Sequence, residues 1–404
     1  MQSGLIYNAN LVLPDRICRG SLAVLGGQIG RVEADNEALP PAGKIKSNFG
    51  PGPGPESPAC WEVDLQGDYL IPGLLDTHVH GCGCFAVMDG ENSVDSLRKS
   101  LLQQGTTAFL PTTMSCAPEK LARVLQDIDA VCSRGKKGKD ERGTAGAEII
   151  GVHLEGPFIN PGNLGAQAWV QPEGEDLRWF WDLMGRYPGL VRILTLAPER
   201  VEAGKLINFC VDNNIIPSAG HTSAGYELMQ RWVGPQVNHV THLFNAMAGI
   251  HHRAPGLATK ALLDPGMWVE IIADGVHIHP GIIELVLRLK PAQSVCLVSD
   301  GIGEFSPGTY TGQGRITSFD SGVARLPDGT IAGGACSLLT GVKTLVEKLG
   351  VPLNRAVNYA SINPARLLGV EGRLGSIEPG KEATFVRLSR EFDVKQVWFK
   401  GRPV

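Results

Sequence analysis

The chain has 404 residues, with 43% hydrophobic and 19% charged side chains and a net charge of −4. This is ordinary globular composition, which excludes wholesale disorder, and a pI near 6.2 excludes a basic footprint for nucleic acid. No apolar run approaches the ~20 residues of a membrane span, and MQSGLIYNANLVLPDR lacks the charged and apolar regions of a signal peptide. Nine cysteines, an odd number spread from Cys18 to Cys336, fit reduced thiols in a cytoplasmic protein better than a disulfide framework.

Residues 4–33 read as short strands, at 5–7, 9–13 and 22–25, with Gly26-Gly27 supplying a turn. The stretch 47–58 (SNFGPGPGPESP) cannot be helix or central strand and reads as an exposed loop. The C-terminal stretches 382–388 and 394–399 are β-rich, punctuated by Gly380 and Gly401. Neither end holds enough strands to bury a core alone. One small β-sandwich built from 1–69 and 370–404, flanking a central domain of 70–369, is the expected organisation.

The centre alternates strand and helix patterns. Eight strand-like runs fall at 69–75, 106–112, 148–154, 191–196, 215–219, 239–243, 268–273 and 294–299, with helix patterns such as 93–104, 117–133 and 281–289 between them. Strand-then-helix repetition implies parallel pairing with crossover helices. Eight units predict an α/β fold, a closed (β/α)8 barrel of the TIM type. The alternative, a doubly wound open sheet, would carry a Gly-rich phosphate turn after its first strand, and none stands there.

Polar residues gather where these strands end. Strand one runs into Asp76-Thr77-His78-Val79-His80, and strand three ends at His153-Leu154-Glu155. His221, His242, Asp274 with His277, and Asp300 follow strands five, six, seven and eight. In a barrel these positions share the C-terminal rim, where active sites of the fold lie. Alternate residues of a strand face one side, so His78 and His80 present two imidazoles together. With Glu155, His221 and His242 they predict a mixed nitrogen and oxygen site for a divalent metal. Cys82 and Cys84 lack the second matching pair that thiolate sites carry. His239 and His279 read as structural, and Asp76 as a support for the paired histidines. A metal-activated water with Asp300 as proton carrier means hydrolysis of an amide, an ester or a related C–N bond.

The runs His153-Leu154-Glu155-Gly156-Pro157-Phe158, Ser218-Ala219-Gly220-His221-Thr222, Thr241-His242-Leu243-Phe244-Asn245-Ala246-Met247, His251-His252-Arg253-Ala254-Pro255-Gly256 and Ala273-Asp274-Gly275-Val276-His277 resemble the N-acetylglucosamine-6-phosphate deacetylase family of the amidohydrolase superfamily. The resemblance runs from about residue 4 to the C-terminus, and 375–381 (GSIEPGK) resembles the superfamily's return into the β-sandwich. It implies hydrolysis of N-acetylglucosamine 6-phosphate to glucosamine 6-phosphate and acetate. It implies Glu155, His221 and His242 as ligands of the principal metal, His78 and His80 at a second metal position, and Asp300 as the catalytic acid and base. One or two divalent ions per subunit are implied, Zn2+ first, with Fe2+, Co2+, Mn2+ or Ni2+ as alternatives.

The same resemblance implies substrate contacts at Ala166, Gln167, Asn245, Ala246, His252, Asp274 and His277. It also implies a closing segment at Ile331, Ala332 and Gly333, running to Ala335, with a helix behind it near 338–348. Arg253 resembles a phosphate-binding arginine that reaches across from a second subunit, which implies a homodimer. Its fork suits two-point contact with phosphate oxygens. The sequence departs from the family at Gln167, where many members carry histidine, in the loop 160–165 (NPGNLG), which lacks basic residues, and at Gly301-Ile302-Gly303. The charged stretch 136–142 (KKGKDER) reads as a solvated loop. Two other functions stay open: an amidohydrolase for another anionic N-acyl amino sugar, and a catalytically silent barrel that binds.

Overall fold

The computed structural model describes residues 3–34, 60–136, 146–170, 176–232, 236–303, 308–312, 315–320, 323–334 and 337–404. The expected loop at 47–58, the charged stretch beyond Lys136, and Ala335 lie outside the described residues.

Both ends of the chain build one eight-stranded sheet. Ser3–Val12 pairs with Ile17–Leu25 along one edge, and with Cys60–Asp64 and then Tyr69–Pro72 along the other. Phe385–Leu388 continues from Tyr69–Pro72, followed by Val394–Phe399. The sheet therefore forks beside Ser3–Val12. Trp61 on one branch stacks on Trp398 of the other at 5.9 Å between centroids. Gln28–Ala34 bonds back to the C-terminal segment, with Ile29 N–H donating to Lys381 O at 2.8 Å and Ala383 N–H to Gly27 O at 2.9 Å. The sandwich so closed buries Ile6, Leu11, Leu22, Val24, Ile29, Leu70, Phe385 and Trp398. Each such side chain stabilises the fold by about 1.5–3 kcal/mol.

Eight parallel strands form the barrel: Leu74–Cys82, Thr106–Thr113, Val152–Glu155, Val191–Leu196, Ile216–Ala219, His239–Val240, Trp268–Ile271 and Val295–Leu297. Each pairs with the next in chain order. Gly301–Gly303 continues strand eight and pairs parallel with strand one, which closes the ring. The helices Glu91–Gln103, Pro118–Lys136, Arg178–Arg186, Ala203–Asp212, Tyr226–Trp232, Leu257–Leu263, Pro280–Leu289 and Leu338–Leu349 follow strands one to eight in order. None of the described helices is long and apolar enough to cross a membrane.

The structure corrects the expected first barrel strand at 69–75. Tyr69–Pro72 belongs to the terminal sheet, and barrel strand one begins at Leu74. Between them Gly73 passes so close to strand two that a Cβ there would lie 2.1 Å from Thr107 Oγ1. His78 and His80 consequently stand inside strand one rather than beyond its end. The expected third strand is also divided, into Glu148–Ile149 and Val152–Glu155, with Gly151 at φ 145° between them.

One part was expected only at its final segment, the closing stretch from Ile331. Gly308–Gly312, Arg315–Asp320, Val323–Arg325 and Ile331–Gly334 form an antiparallel excursion between strand eight and its helix. Its last strand pairs with the closing strand, Gly301 opposite Gly334. Ala324, Leu326 and Ala332 form its small core, against which Ala166 and Ile302 pack.

Candidate active site

The ends of strands one, three, five, six and eight bring their polar side chains to one point. Glu155 Oε1 lies 3.0 Å from His221 Nε2 and 2.9 Å from His242 Nε2, and the two nitrogens are 3.1 Å apart. His78 Nε2 and His80 Nε2 are 3.2 Å apart. Asp300 Oδ1 lies 3.5 and 3.4 Å from them, and Glu155 Oε2 lies 3.1 Å from His80 Nε2. Glu155 therefore borders both groups, with Oε1 also 3.4 Å from His78 Nε2. All these side chains are buried except Asp300, which is partly open.

His221, His242 and Asp300 sit at φ 47°, 30° and 46°. Left-handed backbone at a residue with a side chain costs about 1–3 kcal/mol, and such strain collects at functional sites. Here the turn at the end of each strand aims the side chain back into the ring.

The donor set fits divalent metal ions. The three atoms contributed by Glu155, His221 and His242 form a nearly equilateral triangle with 2.9–3.1 Å edges, a spacing that a cation with bonds of ~2.0–2.2 Å can bridge. Three of the four imidazoles have the other ring nitrogen committed. His221 Nδ1–H donates to Asn163 O at 2.8 Å and His80 Nδ1–H to Thr112 O at 3.0 Å. His78 Nδ1 lies 3.1 Å from Glu270 Oε2. Each of these bonds leaves the Nε2 lone pair facing the centre, the arrangement that supports metal-bound histidines. Electrostatics agree: burial opposes charge on His80, but Asp300 and Glu155 outweigh it and raise its pKa to about 9. The centre attracts positive charge.

His78, His153 and Glu270 also bring ligand atoms together, but His153 has both nitrogens engaged. Nδ1–H donates to Thr77 O at 3.0 Å, so Nε2 accepts from Thr195 Oγ1 at 2.7 Å. Burial pushes the His153 pKa down to about 3, keeping the ring neutral. That first carbonyl sets the direction of a run of hydrogen bonds. Thr241 Oγ1 lies 2.6 Å from Thr195 Oγ1, Ser218 Oγ 2.5 Å from Thr241 Oγ1, and His239 Nδ1 2.8 Å from Ser218 Oγ. Since Thr195 gives its hydrogen to His153, Thr241 donates to Thr195, Ser218 to Thr241, and His239 to Ser218.

A cavity of about 270 Å³ opens over the centre. His80, Glu155, His221, His242 and Asp300 form its floor, and Ala166, Gln167, Asn245, Ala246, His277, Ile331, Ala332 and Gly333 line it. Asp274 stands behind the lining, with Oδ2 2.7 Å from His277 Nδ1. His277 Nε2 is buried without a partner; burial opposes charge on this ring, and Asp274 outweighs it and raises the pKa. Gln167 is clamped: its Oε1 accepts from Ser115 N–H at 2.8 Å, and its Nε2 donates to Glu155 Oε2.

Two expected contacts are not at this cavity. His252 and Arg253 are exposed and outside its lining. Asp76 supports the paired histidines through the backbone, accepting from His78 N–H at 3.1 Å and from Ser299 Oγ at 2.5 Å; burial raises its pKa to about 7. Cys82 accepts from Gln104 Nε2 at 3.2 Å and Cys84 is exposed; neither joins a ligand group among the described residues. His279 caps the helix Pro280–Leu289. The sequence reading missed Glu270, and also Met114, Gly165 and Thr330 in the lining. The signal for Glu270 was a lone carboxylate in the apolar run Trp268-Val269-Glu270-Ile271-Ile272.

Comparisons with known proteins agree with this geometry. The Amidohydrolase family matches residues 69–404. An N-acetylglucosamine-6-phosphate deacetylase of Bacillus subtilis is 34% identical over 346 residues, 84% of this chain and 86% of the relative. An N-acetylgalactosamine-6-phosphate deacetylase of Escherichia coli O157:H7 is 32% identical, over 84% of this chain and 89% of the relative. Among solved structures, N-acetyl-D-glucosamine-6-phosphate deacetylase of Mycobacterium smegmatis superposes with a TM-score of 0.83 at 26% identity, covering 100% of both chains. A mutant of that enzyme, solved in complex with N-acetyl-D-glucosamine-6-phosphate, gives 0.84 at 25% identity, covering 100% of this chain and 99% of that one. The barrel, its ring of buried histidines and carboxylates and this likeness over most of the sequence lead to one conclusion: the chain belongs to the amidohydrolase family and, within it, to the N-acetylglucosamine-6-phosphate deacetylases.

Proposed function

We propose that this protein hydrolyses N-acetylglucosamine 6-phosphate to glucosamine 6-phosphate and acetate with the help of divalent metal. The observation that carries the reading is the Glu155, His221 and His242 triangle on the floor of a cavity whose walls hold clamped hydrogen-bonding groups. Glu155, His221 and His242 would hold one ion, and His78, His80 and Asp300 with Glu155 a second. A bound divalent ion lowers the pKa of a water and polarises a carbonyl oxygen. Zinc suits these nitrogen and oxygen donors, as do neighbouring first-row metals.

The protein's own groups supply the rest. Asp300 takes the proton from the attacking water and passes it to the departing amine nitrogen, as a general base and then acid. Gln167 has its oxygen fixed by Ser115, so its amide hydrogens face Glu155 and the cavity, and one donates to the acyl oxygen. Asn245 and Ala246 border the sugar. The free Nε2 of His277, held by Asp274, meets an oxygen of the substrate. Arg253, exposed and outside its own cavity lining together with His252, is read as reaching the phosphate in a second copy of the chain, which makes the protein a homodimer. Residues 1–69 and 370–404 are read as one domain and 70–369 as the other. Among the described residues seven cysteines are free thiols, which supports a reducing, cytoplasmic setting.

A second reading, the galactosamine epimer, draws on the Escherichia coli relative at nearly the same identity. Acetate release from both phosphorylated sugars and from unphosphorylated N-acetylglucosamine, with metal stripped and restored, tests both. Metal-dependent release confined to a phosphorylated sugar is expected, and the preferred epimer decides between the readings. No release from any of the three by metal-loaded protein would overturn both.

A further inference from the structure

Glu270 lies on barrel strand seven and is completely buried. Among the described residues no lysine or arginine pairs with it, and its partners lie on barrel strand one and just beyond strand six. Thr77 Oγ1 donates to its Oε1 at 3.0 Å, while His78 Nδ1 and the His242 backbone N–H approach Oε2 at 3.1 and 3.4 Å. His239 Nε2 lies 3.8 Å from Oε1, but His239 gives its hydrogen to Ser218 and presents a lone pair there. The carboxylate is thus satisfied by three donors, two of them on His78 and its neighbour Thr77. A buried carboxylate is costly unless its charge is compensated. Here the imidazole of His78 stands between Glu270 and the centre formed with His80 and Asp300.

We propose that Glu270 is the positioning residue of His78: it holds the ring with Nδ1–H outward and the Nε2 lone pair on the centre, and so sets the affinity of the second ion. The inference rests on the metal-centre reading above and is independent of which sugar is the substrate. Among the described residues Glu270 shares no side-chain hydrogen bond with Glu155, His221 or His242, and its one link to that group is the 3.4 Å approach of the His242 backbone N–H. Loss of Glu270 therefore falls on one ion selectively. A carboxylate in this role strengthens the ring as a ligand as well as orienting it, and removing such a partner weakens metal binding by about 10- to 100-fold.

The test is a competition titration of metal-stripped protein with Zn2+ against a chromophoric chelator, paired with the visible spectrum of the Co2+ form. His78→Ala identifies the ion that depends on that ring. Glu270→Gln keeps size and an acceptor oxygen but removes the charge, and should weaken that ion by about 10- to 100-fold while leaving the other ion and its Co2+ spectrum unchanged. Glu270→Leu removes the acceptor and should abolish the His78-dependent ion; if that variant does not fold, Glu270→Gln decides alone. Equal weakening of both ions would show a general structural role and overturn the proposal. So would wild-type affinity in the Gln variant, or a wild type without any His78-dependent ion. Because acetate release is not the readout, failure here is separable from failure of the substrate assignment.

Discussion

Asp300 is held by backbone as well as by charge. It sits in the left-handed region at φ 46°, its N–H donates to His78 O at 2.9 Å, and its carboxylate faces the paired imidazoles. Burial opposes its ionisation, but His78 and His80 outweigh that and lower its pKa, so it stands as the carboxylate. Asp300→Asn keeps the shape and removes the basicity. Turnover should fall by roughly 100-fold or more, while the ion of Glu155, His221 and His242 stays bound; metal analysis beside steady-state kinetics checks both, and unchanged turnover would remove Asp300 from its role. At this scale the sequence was informative where a residue type is costly at a strand end. Histidines and carboxylates at successive strand ends stand out, and the structure brings these within hydrogen-bonding distance of one another. Glu270 escaped notice because a parallel strand buried on both sides shows no alternation, so the sequence does not tell which of Trp268, Val269, Glu270 and Ile271 faces the barrel axis.

Elements were legible where strand and helix alternate at a steady pace, which covers most of the barrel. They were obscured at joints. Residues 69–75 look like one apolar run, yet Pro72 and Gly73 divide it between two sheets, and that division moves His78 and His80 into the strand. The antiparallel excursion before the last barrel helix offers short strands without a strong period, and only its final segment was foreseen. That segment depends on close backbone approach: a Cβ on Gly334 would lie 2.1 Å from Ser299 O. Since the obstacle is backbone, it cannot be relieved by a rotamer change. Gly334→Ala should push Ile331–Gly334 away from the closing strand, destabilise the protein by about 1–3 kcal/mol and raise KM more than it lowers kcat. Denaturant unfolding and kinetics would check this, and a wild-type KM would show that the segment does not border the substrate.

Over the whole molecule, the ring closes where the chemistry is placed. Strand eight reaches strand one through Gly301–Gly303, immediately after Asp300, and side chains from five strands that could hold metal meet beside that seam. Metal binding to such a constellation is also folding energy. An ion present at a thousand times its Kd stabilises by about 4 kcal/mol, so chelation should lower Tm by several degrees, and restoring Zn2+ should return it. Amide exchange should speed up most along the seam and around the turns carrying His221, His242 and Asp300, less in the terminal sheet, whose core is separate. An unchanged Tm after verified metal removal would contradict the proposed centre.

Beneath the centre, the run from His153 to His239 has a consequence for where protons travel. Its five side chains are all buried and all point their hydrogens the same way, because the carbonyl of Thr77 can only accept. A proton entering at one end would have to reverse every member and leave that carbonyl facing a bare lone pair, and His153 resists taking the charge. The barrel floor is therefore an insulator. On the proposed role of Asp300, its proton then has no path through this run, and the cavity, where the departing nitrogen would stand, lies on its open side.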